Sequence, residues 1–295
     1  MLKKWLDNKI IKIYFFKIIF LLNIQFTLED SYRNLQPMEI SDALSILGEA
    51  KIIFDNLGII FFLRQGTCLG AIREKRLIPW DDDIDLGSII GLHGLNEEQV
   101  NIAILEFNKS GYSTQLERYT DYLDVTMMKK NIRIDWSCFH IVDEKIIHFP
   151  SVPIPIHLLK ELKEIEFAGS VYFVPNPPEE YLSAKYGLNW KIPKKPGYEK
   201  DILEMVPDCS NQDILSSNDK NTDFNFTKIR ILNENHEVVK GALVRVVKHG
   251  KFKTDDAGYV KFILPEDNCY SLVISYQSHE ELLYLERLSI GANYL

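Results

Sequence analysis

The chain has 295 residues, enough for two domains, and 46% of them are hydrophobic, which is typical of a globular protein and excludes a disordered chain. Its formal net charge of −8 argues against general nucleic-acid binding, so we expect no nucleic-acid partner. The four cysteines are widely spaced and form no CxxC pair, which argues against zinc ribbons and disulfide frameworks and favours a reducing, cytoplasmic location.

Residues 1–28 differ from the rest because five lysines and one aspartate give them a net charge of +4. Lys12 and Lys17 interrupt the apolar run, which argues against a transmembrane helix, and no small-residue cleavage site indicates a signal peptide. Two interpretations stay open for this segment, which we bound at residues 1–30. It is either a basic amphipathic helix in peripheral contact with the inner face of a membrane, or a helix packed on the next domain.

Apolar spacing and turn residues predict the elements that follow. In chain order they are a helix over 37–57 that ends at Gly58, strands over 59–63 and 84–90, a helix from Asn96 to about Phe107, hairpins over 122–138 and 164–174, and a helix over 179–186 that ends at Gly187. A linker rich in Asp, Asn and Ser over 208–224 then separates short β runs from the rest. We therefore predict an α+β domain over 31–207 and a small antiparallel β-sandwich over 225–295.

The strongest chemical signal lies in residues 64–87, RQGTCLGAIREKRLIPWDDDIDLG. Because side chains alternate along a strand, we expect Asp83 and Asp85 to share one face, with Ile84 and Leu86 in the core. Two carboxylates on one face repel each other unless a divalent cation neutralises them. This stretch therefore predicts a site for metal-dependent phosphoryl transfer, with Mg²⁺ or Mn²⁺ as the cofactor.

Other residues extend this prediction less securely. Asp135 lies between large apolar residues in a predicted strand and is the natural third carboxylate, although a lone strand aspartate is more often a structural acid. A glycine turn at Gly66–Thr67 would offer backbone N–H groups and a hydroxyl to a phosphate, and Arg73 would pair with it bidentately. The alternatives are a solvated acidic turn and a calcium loop, but the latter would need glycine where Leu86 stands.

The run GTCLGAIREKRLIPWDDDIDLG resembles the signature of the LicD family, which includes the fukutin-related proteins. Two later stretches, IRIDWSCF and FAGSVYFVPNPPEEYLSAKYGLNW, resemble further family motifs, so the resemblance covers about residues 38–200. It implies a nucleotidyltransferase fold of the DNA polymerase β type. It also implies transfer of a phosphorylated alcohol from CDP-choline or a CDP-polyol to a hydroxyl of a cell-surface glycan or glycolipid, as in lipopolysaccharide or teichoic acid biosynthesis.

The same resemblance assigns roles to individual residues. It implies that Asp83, Asp85 and Asp135 are catalytic and hold the metal, and that Gly66, Thr67 and Arg73 contact the phosphates. Glu74 and Arg76 depart from the signature, which often has His and Gly at these positions.

The last 71 residues carry a second resemblance. The stretches VVKGALVRVV and FKTDDAGYVKFILPEDNCYSLVISY resemble a carboxypeptidase regulatory-like, prealbumin-type β-sandwich, in which Thr254, Asp255 and Gly258 form a structural turn. Two rival functions stay open. One is nucleotidyl transfer from a nucleoside triphosphate, and the other is a non-catalytic glycan-binding protein whose working part is the sandwich.

Overall fold

The structure is a computed structural model that describes residues 27–33, 35–195, 198–206 and 225–295. Almost all of the predicted amphipathic segment 1–30 and the whole predicted linker 208–224 lie outside the described residues. Within the described ranges, no helix combines the length and the apolar character needed to cross a membrane.

The described residues form a mixed α/β structure. The helices are α1 (Leu28–Arg33), α2 (Ile40–Leu57), α3 (Gln65–Arg73), α4 (Glu97–Lys109), α5 (His157–Lys160), α6 (Pro178–Tyr186) and α7 (Tyr198–Met205). The strands are β1 (Phe62–Leu63), β2 (Asp83–Ile89), β3 (Ser113–Arg118), β4 (Tyr122–Lys129), β5 (Ile132–Phe139), β6 (Lys145–His148), β7 (Val152–Pro155), β8 (Lys163–Phe167), β9 (Ser170–Val174), β10 (Thr227–Arg230), β11 (Leu243–Val246), β12 (Gly250–Lys253), β13 (Tyr259–Phe262), β14 (Asn268–Tyr276), β15 (His279–Leu288) and β16 (Asn293–Tyr294).

The chain divides into two compact units, and the first is built mainly from residues up to 117 together with 123–138. Its adjacent strands follow the order β3-β4-β5-β2-β1. β1 and β2 are antiparallel, with Leu63 opposite Leu86. The neighbour of β2 on its other side is β5, so the strand that carries Asp135 lies beside the strand that carries Asp83 and Asp85, as the sequence predicts.

Helix α2 supplies much of the apolar core of this unit. The Phe54 ring lies 5.0 Å from that of Phe107 and 4.7 Å from that of Trp136, both edge to face, a geometry that adds to the gain from burial. The helix ends at Gly58, whose φ of 67° suits glycine. Its predicted start at residue 37 is wrong, because the Glu39 side chain accepts the Asp42 N–H and sets the first turn there.

The predicted turn at Gly66–Thr67 is also wrong, because both residues lie in the first turn of α3. The residue with a positive φ is Gln65, at 40°, which turns the chain directly from β1 into the helix. By contrast, the predicted capped start of α4 is confirmed, because Asn96 and Gln99 form a reciprocal capping box. The hairpins β4–β5 and β8–β9 also follow the predicted strand spacing.

The second compact unit contains residues 118–122, 139–166 and the described residues from 171 onward. From residue 225 it consists of strands only, in two sheets of order β13-β10-β16 and β12-β11-β14-β15. One buried core contains Ile229 and Phe262 from the first sheet and Val244 and Leu272 from the second. The sequence missed β12, β15 and β16, and the expectation of purely antiparallel pairing is wrong because β10 and β16 are parallel.

Polar side chains hold a turn and a helix end of this unit in place. Asp255 accepts hydrogen bonds from the backbone N–H groups of Ala257 and Tyr259, each at 2.9 Å, so its predicted structural role in the turn is confirmed. Arg245 on β11 donates to the carbonyls of Leu203 (3.1 Å) and Val206 (2.7 Å) at the end of α7. These carbonyls lie at the C-terminal end of the helix, so Arg245 caps α7 and joins it to β11.

A first prediction concerns Gly70 in α3, where an added Cβ would lie 2.5 Å from the Arg76 carbonyl oxygen. Since that oxygen belongs to the backbone, we expect Gly70→Ala to lower the free energy of unfolding by about 1–3 kcal/mol. The matched control is Gly48→Ala in α2, where a Cβ meets open space and should stabilise the helix by about 0.5–1 kcal/mol. Urea unfolding measures both, and equal effects would contradict the steric argument.

A second prediction concerns His249, whose ring packs edge-on against Tyr270 at 5.3 Å. Burial, reinforced by Lys248, lowers the pKa of His249 from 6.5 to about 4. The folded protein therefore disfavours the protonated ring, and the stability this contributes above the unfolded pKa is lost as the pH falls from 6.5 towards 4. We expect His249→Phe to remove an acid destabilisation of at most about 3 kcal/mol, measured by urea unfolding at several pH values. An unchanged pH dependence would exclude this assignment.

Candidate active site

Asp85 is held by the start of α3. Its Oδ2 accepts the Gly66 backbone N–H at 3.0 Å, and its Oδ1 accepts Gln65 Nε2 at 3.1 Å. Its own backbone N–H donates to Thr67 Oγ1 at 2.8 Å, and Arg64 Nη2 lies 3.4 Å from Oδ1. The free N–H groups at the beginning of a helix favour an anion, which explains why this carboxylate is tolerated at 7% exposure.

Asp83 and its neighbour Asp82 share one counter-ion, Arg133 of β5. Arg133 Nη2 lies 2.5 Å from Asp83 Oδ2 and 2.8 Å from Asp82 Oδ2. Arg133 is only 4% exposed. Burial alone would lower the pKa of Arg133, but Asp135 and Asp83 more than offset this effect and raise it, so the guanidinium remains charged.

Asp135 lies two residues after Arg133 on the same strand. Its Oδ2 is 3.3 Å from Arg133 Nε, an ion pair without hydrogen-bond geometry, and its Oδ1 accepts the Tyr32 hydroxyl at 3.2 Å. The Tyr32 hydroxyl also contacts Thr126 Oγ1 at 2.6 Å, and its ring centroid is 4.3 Å from the Arg133 guanidinium. Helix α1 thus covers one side of the acidic cluster.

The residues predicted to contact phosphate have protein partners in this structure. The Gly66 N–H and the Thr67 hydroxyl both bind Asp85, and a Cβ at position 66 would lie only 2.3 Å from Asp81 Oδ2. This close approach is a second reason for glycine here. Arg73, the predicted phosphate ligand, donates to Glu74 Oε1 at 2.6 Å. Glu74, one of the two residues that depart from the LicD signature, therefore neutralises its charge.

The cluster brings like charges together in a region of low solvent access. Burial and the carboxylates of Asp83, Asp85 and Asp82 raise the pKa of Asp81 well above its ordinary value. Burial raises the pKa of Asp135 in the same direction, opposed by Arg133 and reinforced by Asp83. The cost of this arrangement falls when a cation binds, which is the pattern expected of a metal or phosphate site.

The geometry accommodates a divalent cation. Among the residues that the structure describes, carboxylate oxygens of Asp81, Asp82 and Asp83 lie within 4.8 Å of one another. This spacing and the all-oxygen donor set fit Mg²⁺ or Mn²⁺. Of the three predicted ligands, only Asp83 belongs to this triad, while Asp85 and Asp135 stand beside it with the partners described above.

Sequence reasoning missed several members of the site. Arg133 was detectable, because it lies two residues before Asp135 and therefore on the same face of a strand. Arg64 donates to the Leu86 carbonyl at 2.8 Å and links β2 to the end of β1, but no local pattern announces this. Asp124 of β4 accepts the Ser137 hydroxyl at 2.7 Å, and burial raises its pKa. Tyr32 comes from a helix remote in sequence.

The first unit combines a mixed sheet with helices and places carboxylates on two adjacent strands, which fits a nucleotidyltransferase-like fold. The family model described as "LicD/FKTN/FKRP, nucleotidyltransferase domain" matches residues 58–177. This range contains α3, the acidic end of β2 and Asp135. The match supports assigning this region to the LicD/FKTN/FKRP domain family, in agreement with the resemblance in its motifs.

Particular relatives point the same way. Human "Ribitol-5-phosphate transferase FKTN" is 28% identical over 165 residues, which are 52% of this chain and 34% of that protein. Human "Ribitol 5-phosphate transferase FKRP" is 29% identical over 144 residues, covering 46% and 29%. An uncharacterized protein of Rickettsia prowazekii (strain Madrid E) is 25% identical over 177 residues, covering 57% and 59%. The chain thus spans about a third of the length of the two named transferases.

A third prediction tests the support of Asp85. Thr67 is fully buried, and Thr67→Val would leave the Asp85 backbone N–H without its acceptor. We expect a loss of about 1–3 kcal/mol in the free energy of unfolding, because a buried unsatisfied donor is costly. Thr67→Ser keeps the hydroxyl and should retain most of the stability. Thermal unfolding of both variants checks this, and a loss in Thr67→Ser as large as that in Thr67→Val would contradict the dominant role of the hydroxyl.

Proposed function

We propose that the protein transfers a phosphorylated alcohol from a CDP-activated donor, such as CDP-choline or a CDP-polyol, to a hydroxyl of a glycan or glycolipid. The observation that carries this proposal is the cluster of partly buried carboxylates at the start of β2 and on β5, inside the region matched by the LicD/FKTN/FKRP domain. The names of the two human relatives, both ribitol phosphate transferases, support the class of group transferred.

A divalent cation, Mg²⁺ or Mn²⁺, would neutralise phosphate oxygens of the donor and align them with the incoming hydroxyl. The residues that would hold it are Asp83 and its neighbours in the triad, Asp81 and Asp82, together with Asp85 and Asp135 from the resemblance. Two hydrogen bonds fix Asp85, one from the Gly66 N–H to Asp85 Oδ2 and one from the Asp85 N–H to Thr67 Oγ1. Little reorganisation is therefore needed when the donor binds.

Asp135 is our candidate for the group that accepts the proton of the attacking hydroxyl. Burial raises its pKa well above the ordinary value, which brings a carboxyl group closer to the range useful for proton transfer. The oxygen of the acceptor would then attack the phosphorus that bears the alcohol, and CMP would leave. Tyr32 holds the Asp135 carboxylate in place through its hydroxyl.

By the family resemblance, Gly66, Thr67 and Arg73 would contact the phosphates of the donor. Arg73 is 9% exposed in its side chain and paired with Glu74, so contact with a donor phosphate would require it to leave or share that partner. Glu74, and Arg76 whose Nε lies 3.6 Å from Glu74 Oε2, would therefore influence which donor binds.

A second candidate function is nucleotidyl transfer from a nucleoside triphosphate, with release of pyrophosphate. It is favoured by the nucleotidyltransferase description of the matched domain. The same carboxylates would serve both reactions, so the two functions differ in the donor and not in the site.

The module from residue 225 is assigned as a carboxypeptidase regulatory-like domain with an accessory role. Its support is the pair of sheets that share one buried core, and the Asp255 turn. We assign it no catalytic residue.

A fourth prediction tests the function directly. The protein is incubated with CDP-choline, CDP-ribitol, CDP-glycerol, CTP or ATP, with and without Mg²⁺ or Mn²⁺, and CMP and pyrophosphate are measured. We expect metal-dependent CMP release from one CDP-alcohol, and a loss of at least about 100-fold in Asp83→Asn, because this change removes a charge that stabilises the transition state. Glu161→Gln, outside the cluster, is the control.

Pyrophosphate release from a triphosphate would instead establish the second candidate. Full activity of a folded Asp83→Asn protein, or activity without a divalent cation, would eliminate the cation site as described.

A further inference from the structure

A side-chain nitrogen of Arg133 lies where a cation would bind. Arg133 Nη2 lies within 2.8 Å of carboxylate oxygens from both Asp82 and Asp83, and these are two of the three residues in the triad. An ion held by the triad would bind carboxylate oxygens of these same residues. A positively charged side chain therefore already binds two of the three carboxylates that the ion would use.

The two cations cannot share these oxygens at low cost. Mg²⁺ binds oxygen at about 2.1 Å, so an ion on Asp82 Oδ2 and Asp83 Oδ2 would lie only a few ångströms from Nη2. Like charges at that separation repel strongly, and Arg133 is too deeply buried for water to screen them. The ion must displace the guanidinium or bind more weakly beside it.

Arg133 has further partners that hold it in place beside Asp82 and Asp83. Nη1 donates to the Ser31 carbonyl at 3.1 Å, and the Tyr32 ring lies under the guanidinium at 4.3 Å. Nε lies 3.3 Å from Asp135 Oδ2. Because the guanidinium is a rigid plane, Nη2 cannot turn away from the two carboxylates while Nη1 and Nε keep these partners, so the ion meets a charge that the fold holds in position.

We propose that Arg133 is the built-in counter-ion of Asp82 and Asp83, and that a divalent cation competes with it for these two carboxylates. This inference rests on the cation site of the proposed function and extends it. Arg133 stabilises the cluster when no ion is bound and weakens the affinity for the ion. It is a positioning residue, because it acts through the carboxylates.

Titration calorimetry with Mn²⁺ tests the competition. We expect Arg133→Met to bind Mn²⁺ at least about fivefold more tightly than the unmodified protein, because removal of one positive charge near the site strengthens the attraction for the ion. Arg133→Lys keeps a charge but lacks the second nitrogen, and its affinity should lie between the two. The matched control is Arg230→Met, since Arg230 also stacks on a tyrosine, Tyr259, but belongs to the other compact unit.

Thermal unfolding of the same proteins gives a second readout. Without added ions, Arg133→Met should melt at a lower temperature, and Mg²⁺ should raise its melting temperature by more than it raises that of the unmodified protein. If Arg133→Met does not fold, the order of Mn²⁺ affinities between Arg133→Lys and the unmodified protein decides.

The outcomes separate the two levels of the proposal. Mn²⁺ binding that is equal or weaker in the Arg133 variants would overturn the competition and leave the cation site standing. Absence of Mn²⁺ binding by both the unmodified protein and the Arg133 variants would overturn both.

Discussion

The first compact unit depends on one constraint, the mutual repulsion of five carboxylates, those of Asp81, Asp82, Asp83, Asp85 and Asp135. Two parts of the fold offset this repulsion, the start of α3 and Arg133, which pairs with Asp82, Asp83 and Asp135. The start of α3 binds Asp85, and Arg133 from the neighbouring strand binds Asp83. These partners are available only because α3 begins directly after β1 and β5 lies beside β2. The local order of strands and helix is therefore inseparable from the charge balance of the site.

Strand β2 has an apolar face opposite its acidic face. Ile84 and Leu86 are fully buried, whereas Asp83 and Asp85 face the charged cluster. Ion pairs with so little solvent rarely stabilise a fold, because desolvation offsets much of their attraction. The apolar contacts around Phe54 and Trp136 must therefore hold the acidic face in place. One face of β2 thus carries the acidic residues, and the other face packs in the apolar core.

Regular patterns made much of this arrangement predictable. Alternation along β2 gave the shared face of Asp83 and Asp85, and the capping pair Asn96–Gln99 gave the start of α4. The helical state of Gly66 and Thr67 was not predictable, because it depends on a hydrogen bond to Asp85, about 20 residues away. The three strands missed after residue 225 are short, or rich in glutamate as in β15, so tertiary pairing determined them and not propensity.

Tyr32 and Ser31 bear on where the functional unit of this domain begins. Both contact Arg133, yet both lie well before residue 58, where the family match starts. A segment cut to the family boundaries would lose the ring over the guanidinium and a hydroxyl that orients Asp135. Transplanting the matched range alone would thus carry the acidic residues without the residues of α1 that cover one side of them. The unit that holds the acidic cluster is therefore larger than the matched range, and it includes α1.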